Sequence, residues 1–114
     1  MPEENLIPSM SSEEFSALLD SEQVNILDIR EPDELAISHL DKSINIPMME
    51  LEDKVDQLNA ELSRSKFPTV VVCRSGARSE MVTDFLIGVG FRNIYNLSDG
   101  INGLSKLRPG LTAY

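Results

Sequence analysis

The chain has 114 residues, 41% hydrophobic and 25% charged, with a formal net charge of −9 and one cysteine. That length suits one domain, residues 1–114, with an apolar core that needs no disulfide staples. The acidic balance argues against nucleic acid and anionic membranes as partners, and one cysteine with one histidine cannot build a structural zinc site.

The start, Met1-Pro2-Glu3-Glu4-Asn5, is polar and acidic and lacks the basic and apolar stretches of a signal peptide. No apolar run approaches transmembrane length. A reducing, cytoplasmic setting is the expectation. Ser11-x-x-Glu14 reads as a capping box that opens a helix through Phe15, Leu18 and Leu19. Val24 to Arg30 reads as a buried strand with a polar end, stopped by Glu31-Pro32, where proline suits a first helical turn. A short helix is expected over Asp33 to Ser38, and a brief strand over Ser43 to Ile46 before Pro47. Met48 and Met49 read as packing residues. Leu51, Val55, Leu58 and Leu62 recur at helical spacing, with Glu50, Glu52, Asp53 and Asp56 as the solvated face. Thr69 to Val72 is a β-branched strand that ends on Cys73. Val82, Phe85, Leu86 and Val89 form the next helical stripe, stopped by Gly90. Asn93 to Leu97 is a strand, and Ser98-Asp99-Gly100 turns into a last short helix before Pro109. Alternating strands and helices predict a three-layer α/β domain. Its sheet is mainly parallel, of about five strands, with helices on both faces.

Ligands of open α/β sheets bind beyond the carboxyl ends of the strands. Asp28 and Arg30, Cys73, and Asp99 fall at three such ends. A free cysteine is most often a small buried hydrophobe. Here Arg74, Ser75, Gly76 and Arg78 follow it, none of them a core residue type. A strand–loop–helix turn aims backbone N–H groups at the strand end and favours an anion there. A thiolate is such an anion, so Cys73 is the candidate nucleophile, with its pKa depressed by the loop N–H groups and the two arginines.

Cys73-Arg74-Ser75-Gly76-Ala77-Arg78-Ser79 resembles the active-site loop of single-domain rhodaneses, the thiosulfate sulfurtransferases. Leu27 to Glu34 resembles that family's Asp-Val-Arg-Glu stretch. Ser38-His39-Leu40 with Ser43 to Pro47 resembles its Gly-His-Ile and Ala-Ile-Asn-Ile-Pro segments. Gly90 to Leu97 with Gly100-Ile101 resembles its closing strand and turn. The match runs from about Met10 to about Leu107, in the family's order. It departs where Leu104 replaces a tryptophan, and where Ser38 and Asp99 replace glycines. The resemblance implies a Cys73 persulfide, charged by thiosulfate or another sulfane-sulfur donor and discharged by cyanide or a thiol. It implies a cradle of N–H groups from Arg74, Ser75, Gly76, Ala77, Arg78 and Ser79, with Arg74 and Arg78 on the oxygens of an anionic donor. It assigns no cofactor and no metal.

Asp28 and Arg30 could orient this loop or simply pair at a strand end; both readings stay open. His39 invites a Cys–His pair, and a turn histidine is the favoured reading. A cysteine phosphatase is a weaker rival, because four residues rather than five separate Cys73 from Arg78. An arsenate reductase that resolves through protein thiols also wants further cysteines, which are absent. A non-enzymatic rhodanese-like binding or sulfur-relay module is the other alternative.

Overall fold

The computed structural model describes residues 7–114; the acidic start Met1-Pro2-Glu3-Glu4-Asn5 lies outside them. In chain order the elements are β1 (Ser9–Met10), α1 (Ser12–Ser21), β2 (Asn25–Asp28), α2 (Pro32–Leu35) and β3 (Ile44–Asn45). A 3-10 turn (Met48–Glu50) leads into α3 (Leu51–Leu62), followed by β4 (Thr69–Val72), α4 (Ala77–Gly88), β5 (Ile94–Leu97) and α5 (Gly100–Leu104). The five strands form one all-parallel sheet in the order β1-β5-β4-β2-β3. β4 is central, and its Val70, Val71 and Val72 are fully buried. A continuous apolar run is what a parallel strand covered on both faces requires.

Side chains alternate across the sheet. Leu27, Val71 and Cys73 face one layer, with Leu51 and Leu58 of α3 and Val82 and Leu86 of α4. Ile26, Val70, Val72 and Leu97 face the other, with Phe15 of α1 and Ile101 and Leu104 of α5. Cys73 therefore sits on the face that α4 covers, just beyond the central strand.

The capping box forms. Ser11 Oγ accepts the Glu14 N–H at 3.1 Å, and Glu14 returns a carboxylate oxygen to the Ser11 N–H at 3.1 Å. Leu104, in the place of the tryptophan, is fully buried. Three local expectations change. The edge strand β1 has no apolar run to announce it; its two residues pair with Asn96 and Leu97 of β5. Phe85 of α4 and Val89 at its C-cap are 37% and 49% exposed, while Ser79 and Thr83 join Val82 and Leu86 on the buried face. Met49 is 89% exposed, because the 3-10 turn points it away from the core that Met48 touches.

Candidate active site

The loop after β4 is shaped by two glycines. Gly76 has φ +105°, and a Cβ there would lie 2.1 Å from the Ser98 carbonyl oxygen. Gly100 has φ +62°, and a Cβ there would lie 2.4 Å from the Arg74 carbonyl oxygen. The Cys73 loop and the turn after β5 are thus in contact backbone to backbone, where only glycine fits. The Ile101 N–H donates to the Cys73 carbonyl at 2.9 Å and the Asn102 N–H to the Arg74 carbonyl at 3.0 Å. With these carbonyls held toward α5, the loop's N–H groups are free to face the sulfur.

Cys73 Sγ accepts the Gly76 N–H at 3.1 Å and the Ser79 N–H at 3.4 Å. The Ser79 hydroxyl lies 3.3 Å from the sulfur and also bonds Asn96 Oδ1. Burial pushes the thiol pKa up. The Ser79 hydroxyl and the N–H groups of Ser79, Gly76 and Ser75 outweigh it, and the pKa falls below the ordinary value. The loop's backbone and hydroxyl groups lead this shift. Of the two arginines expected to share in it, Arg78 acts on the sulfur through its charge, without a hydrogen bond, while its guanidinium is held by Glu34. Cys73 is only 1% exposed.

Arg78 is gripped by Glu34 through two bonds, of 2.9 and 2.8 Å. Arg78, outweighing burial, holds the Glu34 carboxyl down to about 2. The Arg74 guanidinium lies over the Tyr114 ring, 5.1 Å from its centroid. Asp28 and Arg30 form a fully buried ion pair, with Nη2 to Oδ2 at 2.8 Å. Arg30 also donates to the Ser38 carbonyl at 2.7 Å and to the Tyr114 hydroxyl at 3.1 Å. Burial opposes its charge, but the bonds to Asp28 and Tyr114 outweigh that, and the pKa of Arg30 rises.

The Tyr114 hydroxyl in turn donates to Glu34 Oε1 at 2.8 Å. Asp28, Arg30, Tyr114, Glu34 and Arg78 therefore form one continuous chain of bonds that ends on the Cys73 loop. Asp99 stands exposed at the start of α5, and His39 is exposed beside Asp41 at 3.6 Å. The structure joins neither to the sulfur.

Sequence reasoning missed Asn96 and Tyr114. Asn96 carried a signal, a polar residue inside a buried strand. Tyr114 carried none, being an aromatic beyond Pro109 and Gly110 with no periodic context.

The Rhodanese-like domain model matches residues 11–107. Thiosulfate sulfurtransferase GlpE of Pseudomonas entomophila is 31% identical over 102 residues, covering 90% of this chain and 89% of that protein. The chain spans about half (49%) of YrkF of Bacillus subtilis, described as a candidate sulfur carrier protein, with 34% identity over 96 residues and 83% of this chain. The crystal structure of a rhodanese-related protein from Thermoplasma volcanium superposes with a TM-score of 0.75 at 30% identity, covering 89% of this chain and 93% of that one. The family match runs through every helix and strand after β1, and on it the chain belongs to the rhodanese-like domain family.

Proposed function

We propose that this protein is a sulfurtransferase in which Cys73 is the nucleophile and carries sulfur as a persulfide. The observation that carries this reading is the sulfur itself, at the end of the central strand, with the Gly76 and Ser79 N–H groups aimed at it and the Ser79 hydroxyl beside it. Such donors favour the thiolate over the thiol. The thiolate attacks the outer sulfur of a sulfane donor such as thiosulfate. A new S–S bond forms, the donor's own S–S bond breaks, and sulfite leaves with the electron pair. The terminal persulfide sulfur is then an anion, and the N–H groups of the loop from Arg74 to Ser79 cradle it, those of Gly76 and Ser79 already donating to the Cys73 sulfur. Cyanide or a thiolate takes the outer sulfur, and the Cys73 thiolate departs.

Gly76 and Ala77 carry no side-chain bulk into this cradle. Arg74 and Arg78 supply positive charge for an anionic donor, Arg78 with part of its hydrogen-bonding capacity already held by Glu34. Asp28 and Arg30 orient the loop through Tyr114 and Glu34. The small-molecule partners are a sulfane-sulfur anion and a thiol, possessed by a small molecule or a protein. The test is thiocyanate formation from thiosulfate and cyanide. Turnover by the unmodified protein that vanishes in Cys73→Ser supports the reading. Cys73 persulfide formation without thiocyanate would move the assignment to a sulfur-relay module, and efficient phosphate-ester hydrolysis would move it to a phosphatase.

A further inference from the structure

One residue touches the surroundings of both arginines that flank Cys73. The Tyr114 ring lies under the Arg74 guanidinium, 5.1 Å away. Its hydroxyl bonds Glu34, the residue that grips Arg78, and accepts from Arg30. Tyr114 is itself held in place. Its N–H donates to Asn102 Oδ1 at 2.9 Å, and two residues earlier the Thr112 N–H and carbonyl both bond the buried Ser38 hydroxyl. Leu111 and Tyr114 pack on the core between the sheet, α1 and α5. The segment is thus docked at several points, and its last aromatic ends on the loop.

Arg74 is exposed, on a flexible stem, and no carboxylate pairs with it in the described structure. Left alone, such a side chain samples many rotamers. A ring face within about 6 Å attracts a guanidinium and limits that freedom. We propose that Tyr114 is a positioning residue: its ring holds Arg74 at the rim of the Cys73 site and so sets the preference of the site for anionic over neutral reactants. This rests on the proposed role of Cys73 as the reacting thiol, but its test does not require sulfur transfer.

The test compares alkylation of Cys73 by iodoacetate, an anion, with alkylation by iodoacetamide, a neutral reagent of nearly the same size. The same thiolate attacks both, displacing iodide, so their rate ratio cancels any change in Cys73 pKa and reports charge at the rim. The ratio is referred to the same protein unfolded in urea. Tyr114→Leu keeps apolar packing and removes the ring; Tyr114→Phe keeps the ring and removes the hydroxyl. The proposal expects the ratio to fall about threefold in Tyr114→Leu, the scale of one exposed cation–π contact. It expects Tyr114→Phe to stay near the unmodified value. It also expects Arg74→Ala to lower the ratio, with no further drop when Tyr114→Leu is added. A ratio unchanged in Tyr114→Leu overturns the proposal. So does an equal fall in Tyr114→Phe, which would assign the effect to the hydroxyl network. If Tyr114→Leu does not fold, the Arg74→Ala and Tyr114→Phe arms decide: an unchanged ratio in Arg74→Ala, or a fall in Tyr114→Phe, overturns it equally. Thiocyanate formation measured alongside distinguishes failure of this inference from failure of the sulfur-transfer reading.

Discussion

Two neighbouring strand ends in this sheet hold buried charge in opposite ways. At the end of β2, Asp28 and Arg30 face each other with no exposed surface, and each charge is answered by the other. At the end of β4, Cys73 is buried as deeply, yet no cation touches it: the Gly76 and Ser79 N–H groups donate to the sulfur, and the Ser79 hydroxyl, which also bonds Asn96 Oδ1, lies 3.3 Å away. The first arrangement is complete and has no capacity left for a substrate anion. The second favours negative charge on the sulfur and supplies no cation in contact to neutralise it. Burial alone does not separate scaffold from site. What separates them is whether the partners cancel the charge or only invite it.

Cys73→Ser breaks the comparison most sharply. It removes the nucleophile and should abolish sulfur transfer, with the folding midpoint in urea nearly unchanged, because the smaller hydroxyl keeps the same hydrogen-bonding neighbours. A loss of fold together with activity would make Cys73 a packing residue. Asp28→Ala does the reverse. It leaves Arg30 buried without its counter-charge and should cost about 3–5 kcal/mol of stability, read from the same urea titration. A change below about 1 kcal/mol would mean that water reaches Arg30.

Gly76→Ala comes next. The left-handed backbone and the 2.1 Å approach to the Ser98 carbonyl force the loop to move. A stability loss of about 1–3 kcal/mol is expected, with slower alkylation of Cys73 at fixed pH as the cradle opens. Arginine variants sharpen the picture further. Arg74→Ala should lower kcat/KM for thiosulfate by about 1.5 kcal/mol, the lower end for a charged hydrogen bond. The Arg78→Ala effect on donor binding should be smaller, since Glu34 already holds that guanidinium.

The smallest effect is a pH dependence. Glu34 has a folded pKa of about 2 against an ordinary 4.5. A carboxylate depressed by folding contributes stability that is fully present above its unfolded pKa and is lost as pH falls through the folded one. Glu34→Gln should therefore flatten the stability profile between about pH 4.5 and 2. Arg78 is 36% exposed, so the flattening should be only about 1 kcal/mol after solvent screening. An unchanged acid limb in calorimetry would place the acid sensitivity in other carboxylates.

Much of the fold was legible because local and long-range signals agree. Ser11 and Glu14 cap α1 as the spacing requires, and Thr69–Val72 could be little else than a buried strand. The α4 stripe departs from the apolar spacing because apolarity alone does not decide which face of this helix is buried. Its inner face is built partly from Ser79 and Thr83, which belong to the loop's hydrogen-bonding system rather than to the oily core. β1 was invisible because two residues carry no period and exist as a strand only through pairing with β5.

Within the candidate site, the Cys73 loop stood out by composition. The division of labour among its neighbours did not. That Arg78 meets Glu34 depends on a contact 44 residues apart, and Tyr114 meets Glu34 across 80. Such distances are set by sheet order, and no single segment encodes them.

The central claim is that Cys73 carries sulfur, and the most direct measurement is the intact mass of the protein after incubation with thiosulfate and removal of the excess. The account predicts the added mass of one sulfur atom, located on Cys73, released by cyanide or a thiol and absent from Cys73→Ser. No added sulfur on the unmodified protein, or the same addition in Cys73→Ser, would contradict it.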